Sequence, residues 1–118
     1  MGVSAATISA TNARAQSHSA FSGNPADRYL PHNHEPDSVV YAGTHDNDTT
    51  AGWWAAAADA ERHFARAYLA TDGHDMPWSL IRAAMASVAD TAIHTMQDVL
   101  SLPGGCRMNH PGQASGWW

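Results

Sequence analysis

The apolar run Val39-Val40-Tyr41-Ala42 constrains the fold of this chain more than any other segment. It shows no polar alternation, so the strand it predicts, Val39–Thr44, is covered on both faces, like a central strand of a parallel sheet. Such a strand needs parallel neighbours and helices packed over it. It runs straight into the polar cluster Gly43-Thr44-His45-Asp46-Asn47-Asp48-Thr49-Thr50. In parallel α/β folds, chemistry gathers beyond the carboxyl ends of strands. His45 and Asp46 are therefore candidate site residues. On spacing alone, capping the next helix is the plainer reading of Asp46 or Asp48.

The flanking pattern predicts βα units. Thr49 or Thr50 can cap a helix whose apolar face collects Trp54, Ala57, Ala58, Phe64, Ala65, Tyr68 and Leu69 at helical spacing. Thr71-Asp72-Gly73 ends it, with Gly73 suited to a left-handed stop. A second helix starts at Pro77, where the missing N–H costs nothing. Its stripe is Leu80, Ile81, Ala84, Met85 and Val88. Thr91–Met96 reads as a strand or an ambiguous segment and Gln97–Leu102 as a short helix, closed by Pro103-Gly104-Gly105. Residues 20–38 and 107–118 read as loop. Residues 1–19, rich in Ala, Ser and Thr, read as disordered or as an unrelated start, with a faint transit-peptide flavour. Two strands do not make a stable parallel sheet, so the chain reads as part of something larger.

Charge and composition remove several classes of function. There is no lysine, and six arginines against eleven acids leave a net charge of −5. That balance provides no phosphate-tracking surface for nucleic acid and no polybasic membrane patch. No apolar run approaches the roughly 20 residues that span a bilayer. The lone Cys106 forms no internal disulfide and has no local activating context as a nucleophile. The eight histidines invite a metal reading, yet no pair has HExxH spacing, so no metal or other cofactor is expected. Of the five tryptophans, Trp54 and Trp78 read as core.

Several ordered motifs resemble one family. Tyr29-Leu30-Pro31-His32-Asn33 precedes Val39-Val40-Tyr41-x-Gly43-Thr44-His45-Asp46-Asn47-Asp48-Thr49-Thr50-x-Gly52-Trp53-Trp54. Downstream come Pro77-Trp78-x-Leu80-Ile81-Arg82-Ala83-Ala84, Ser87-Val88-Ala89, Gln97-Asp98-Val99-Leu100 and Arg107-Met108-Asn109-x-Pro111-Gly112. From Phe21 to Trp118, roughly five-sixths of the chain, the sequence resembles the 4-alpha-glucanotransferases (amylomaltases) of glycoside hydrolase family 77. The resemblance implies an α/β fold, the C-terminal portion of a (β/α)8 (TIM-type) barrel that is incomplete on its own, over residues 20–118. It implies retaining transfer of α-1,4-glucan segments between maltooligosaccharides, in the cytoplasm or, if residues 1–19 are a targeting remnant, a plastid. Asp46 matches the family's transition-state carboxylate, His45 a neighbouring substrate-binding residue, and Asn109 a residue near the donor sugar.

The departures carry expectations of their own. The family's nucleophile Asp and acid/base Glu lie on earlier strands, and residues 1–20 contain neither acid. The family's last barrel helix falls beyond Trp118. The chain alone is therefore expected to be an inactive fragment, marginally stable because strand edges and apolar helix faces lack cover. The alternative is a non-catalytic carbohydrate-binding or interaction module built on His45, Asn109 and the tryptophans. The sequence leaves the oligomeric state open.

Overall fold

Val39 and Val40 lie in the middle strand of a three-stranded parallel sheet: β1 (Ser4–Thr7), β2 (Ser38–Tyr41) and β3 (Thr91–Ala92), in the order β1-β2-β3. The computed structural model describes residues 4–7 and 21–117. Ser4 to Thr7 pair with Ser38 to Tyr41, while Val39 and Val40 pair with Thr91 and Ala92. The expected neighbour after residue 90 is present, though only two residues long. The other neighbour lies within the stretch read as disordered, of which residues 1–3 and 8–19 fall outside the described residues. Along β2, Ser38 and Val40 are buried and Val39 and Tyr41 half-buried. The strand stops at Tyr41 rather than running to Thr44, because the side-chain oxygen of Asn47 takes the Thr44 amide at 2.6 Å and turns the chain.

Four helices follow the central strand: α1 (Thr50–Ala56), α2 (Asp59–Leu69), α3 (Met76–Ala86) and α4 (Met96–Val99). Two 3-10 turns, Pro31–Asn33 and Gly104–Cys106, shape the loops. The long helix expected from residue 49 is broken in two. Ala57 and Ala58 are extended, with ψ of 144° and 155°. Arg62 explains the break: its guanidinium donates to the carbonyls of Trp54 (3.1 Å) and Ala55 (2.7 Å), which α1 leaves unpaired at its end. The stop of α2 is also displaced from its expected place. Ala70, not Gly73, is the left-handed cap (φ 52°, ψ 47°). Gly73 has φ of +87°, and a Cβ there would lie 2.7 Å from Cζ2 of Trp54.

Phe21, Leu30, Val40, Trp53, Ala65, Met76, Leu80 and Ala84 form the core. Phe21 gathers Trp53, Phe64 and Tyr68 around it, at centroid distances of 5.7, 6.4 and 6.3 Å. The tryptophan expectation holds in part: Trp54 is half-buried and packs against the core, Trp78 is half-buried, and it is Trp53 that is buried within it. Trp54 lies under the guanidinium groups of Arg62 and Arg66, and Trp78 donates to the Val99 carbonyl at 3.1 Å. Pro77 stands in the first turn of α3, as its chemistry requires. Leu80, Ile81 and Ala84 turn inward, but Met85, and Val88 just past the end of α3, are exposed.

Candidate active site

The site is built where β2 ends, from the loop of residues 42–49 and the returning chain at residues 107–109. Thr49 is the helix cap: its hydroxyl accepts from the Gly52 amide at 3.1 Å, satisfying one of the free N–H groups of α1. Asp46 is thereby released from the capping role that spacing alone favoured. Its Oδ1 accepts a hydrogen bond from Nδ2 of Asn109 at 2.8 Å, across 63 residues of sequence. On the other side, His45 Nε2 lies 3.5 Å from Asp46 Oδ2, an ion pair when the ring is protonated. The two side chains are about half exposed, 55% and 48%, so the pair faces solvent from a fixed base. The fold thus brings His45, Asp46 and Asn109 to one place.

The base is fixed by groups that the spacing of motifs did not single out. Asn47 closes the turn, accepting from both the amide and the hydroxyl of Thr44, while its own amide donates back to the Thr44 carbonyl. Asp98 is buried, and its two oxygens accept from the Thr50 amide and the Thr50 hydroxyl, each at 2.8 Å. A carboxylate at the first turn of α1 meets the positive end of the helix dipole. Asp98 stays within reach because Thr95 caps α4, accepting from the Asp98 amide at 3.2 Å. Arg107 spans the two loops, donating through Nε to the Asn109 carbonyl (2.8 Å) and through Nη2 to the Asp46 carbonyl (3.0 Å). Asp48 accepts from the Thr49 amide and fills the space that Cβ atoms at Gly52 and Gly104 would need. The Arg107-x-Asn109 spacing and the Thr95-x-x-Asp98 capping signature were the available signals, but neither names a partner.

The other candidates are dispersed. His32 bonds Tyr68 and the Pro25 carbonyl, and His74 bonds Asp72. His34 is buried with Nε2 on the Tyr29 carbonyl at 3.2 Å, and burial holds its imidazole below the usual histidine range. Among the described residues no three His, Cys, Asp or Glu side chains converge as metal ligands. Cys106 is exposed, and Arg107 beside it is turned to the Asp46 loop. His110 packs on Trp117, while Trp118 lies outside the described residues. A cavity of about 690 Å³ opens elsewhere, between the Pro31–His34 turn, the end of α2 and α3, and Asp46 does not line it. No helix among the described residues is long and apolar enough to cross a membrane.

The family model for 4-alpha-glucanotransferase matches residues 12–118. The chloroplastic/amyloplastic 4-alpha-glucanotransferase of Arabidopsis thaliana is 49% identical over 100 residues, 84% of this chain and 17% of that protein. The 4-alpha-glucanotransferase of Thermus thermophilus is 44% identical over 107 residues, 84% of this chain and 21% of that protein. The structure is similar to an amylomaltase from Streptococcus agalactiae in complex with acarbose, with a TM-score of 0.74 and 32% identity over 83% of this chain and 20% of that one. The chain thus spans about a fifth of the length of these relatives. It belongs to the 4-alpha-glucanotransferase family, glycoside hydrolase family 77.

Proposed function

We propose that this chain supplies the transition-state carboxylate and part of the donor-sugar site of a retaining 4-alpha-glucanotransferase acting on α-1,4-glucans. The observation that carries the reading is the Asp46–Asn109 hydrogen bond, with His45 beside it, at the carboxyl end of β2. A strand end delivers side chains to a ligand while the sheet holds their backbone still. In retaining transfer, one carboxylate attacks the anomeric carbon while a carboxylic acid protonates the departing sugar oxygen. The glycosyl-enzyme ester is then opened by an acceptor hydroxyl, which gives its proton to the same acid/base group. Both steps pass through an oxocarbenium-like sugar, whose positive charge a third, fixed carboxylate stabilises. Asp46 takes that role, with Oδ1 anchored by Asn109, and His45 and Asn109 contact the sugar hydroxyls. The surrounding fold in this reading is the C-terminal portion of a (β/α)8 barrel, covering residues 20–118.

The nucleophile and acid/base belong to strands that this chain does not match, so the 118 residues alone carry no turnover. The reading as a non-catalytic carbohydrate-binding module has less support, since the relatives compared are transferases. The plastid stands beside the cytoplasm as a compartment, because one of those relatives is chloroplastic/amyloplastic. The test has two parts. Purified chain incubated with maltotriose is expected to yield no glucose or longer maltooligosaccharides by chromatography. Grafted in place of the matching segment of the Thermus thermophilus enzyme, it is expected to support disproportionation, and Asp46→Asn to lower kcat by about 10²-fold or more. Turnover by the purified chain that disappears in Asp46→Ala, or a fully active Asp46→Asn graft, overturns the reading.

A further inference from the structure

We infer that Arg107 is a positioning residue for the Asp46–Asn109 pair, acting through the shape of its guanidinium rather than its charge. This rests on the functional reading above. Arg107 is half-buried, and among the described residues no carboxylate lies within ion-pair distance of it. Its donors go instead to two backbone carbonyls: Nη2 to Asp46, 61 residues away, at 3.0 Å, and Nε to Asn109, in its own loop, at 2.8 Å.

Asn109 Nδ2 then closes the circuit on Asp46 Oδ1 at 2.8 Å. The two loops are thus joined at two points, one through backbone and one through side chains. A single bond leaves a loop free to pivot, whereas two bonds fix both its distance and its orientation. The guanidinium holds its donors in a rigid planar fork, so both carbonyls are held together. A lysine ammonium at this position keeps the charge but has no fork. Misplacing a catalytic group by about 1 Å costs on the order of 10²-fold in rate. The carbonyl of Asp46 and the carboxylate that meets the sugar branch from the same Cα, so anchoring the carbonyl helps set the carboxylate's position.

The experiment has a structural arm and a kinetic arm. In the full 118-residue chain, the Asn109 side-chain amide is followed by NMR with Asp46 intact and with Asp46→Asn. In the parent chain its proton shift depends on the Asp46 carboxylate, to which Nδ2 donates. In Arg107→Lys and Arg107→Met that dependence is lost, while the amide signals of α3 stay in place. In the Thermus thermophilus graft, Arg107→Lys and Arg107→Met both lower kcat by about 10²-fold with the KM for maltotriose little changed. Added guanidinium restores part of the rate to an Arg107→Ala graft, which a loss of folding does not allow. An Asn109 signal that still tracks Asp46 in Arg107→Met, or an Arg107→Lys graft with the parental kcat, overturns the inference. A parent graft without turnover, or a fully active Asp46→Asn graft, counts instead against the functional reading, and the NMR arm still decides the clamp.

Discussion

His34 shows how one residue ties this fold to pH. Its Nε2–H donates to the Tyr29 carbonyl, and Nδ1 is buried with no partner among the described residues. Protonation would place a second N–H where no acceptor waits, so burial lowers the pKa of the ring. The unfolded chain takes up that proton near the ordinary histidine value of about 6.5, while the folded chain resists it. Between the folded and unfolded pKa values, the unfolded state therefore holds more protons, and stability rises with pH. The full contribution is present above pH of about 6.5 and is lost as pH falls through the window below it. Urea unfolding is expected to show this decline on acidification, and His34→Gln to flatten it. A parent chain whose unfolding free energy is level across that window would contradict the assignment. Residues of this kind were legible only in part. His45, Asp46 and Asn109 stand in motifs, whereas the roles of Arg107 and Asp98 depend on partners 61 and 48 residues away.

At the scale of elements, the sequence announced the central strand, the proline-started α3 and the short α4, because each carries a local signal. The break between α1 and α2 carries none. Ala55-Ala56-Ala57-Ala58 is a strong helix-forming run, and propensity alone keeps it helical. Long-range pairing overrides that preference: Arg62 satisfies the end of α1, and the Trp53 indole donates to Glu61 at 2.7 Å, folding the two helices onto each other. The N-terminus of α2 is left with Ala58 as its cap, in extended backbone and with no side-chain hydrogen bond. Ala58→Ser therefore discriminates between a broken and a continuous helix. At a cap position the serine hydroxyl accepts from a free amide and stabilises by about 1 kcal/mol. Inside a continuous helix the same change destabilises by about 0.5 kcal/mol. Thermal unfolding of the purified variant is expected to move upward, and a downward shift would contradict the break. The left-handed Ala70 is a comparable case, since only the Arg66 and Ala67 carbonyls it closes on show why the helix stops there.

At the scale of the whole molecule, the described residues combine a buried core with several exposed large apolar side chains. The core is a single cluster around Phe21, Leu30 and Val40, between β2, α1, α2 and α3. Outside that core, Met85, Val88, Ile93, Met96 and Leu100 are 57–68% exposed. Three of them fall between residues 93 and 100, directly after the two-residue strand β3, which has no described partner on its outer edge. Scattered exposed apolar residues are ordinary on a protein surface, but a group beside an unpaired strand edge invites association. The chain is therefore expected to self-associate, with a weight-average sedimentation coefficient that rises with concentration. The variant Ile93→Thr, Met96→Gln, Leu100→Gln removes the apolar group without opening the core. Because these side chains are already exposed, the substitutions change folding stability by only about 0.5 kcal/mol each. Sedimentation of the variant is expected to become independent of concentration, with the far-UV circular dichroism unchanged. A parent chain that sediments as a monomer at all concentrations, with a sharp and concentration-independent thermal transition, would show that these side chains need no cover. Association that survives in the variant would place the sticky surface elsewhere, on the edge of β1 or along α3.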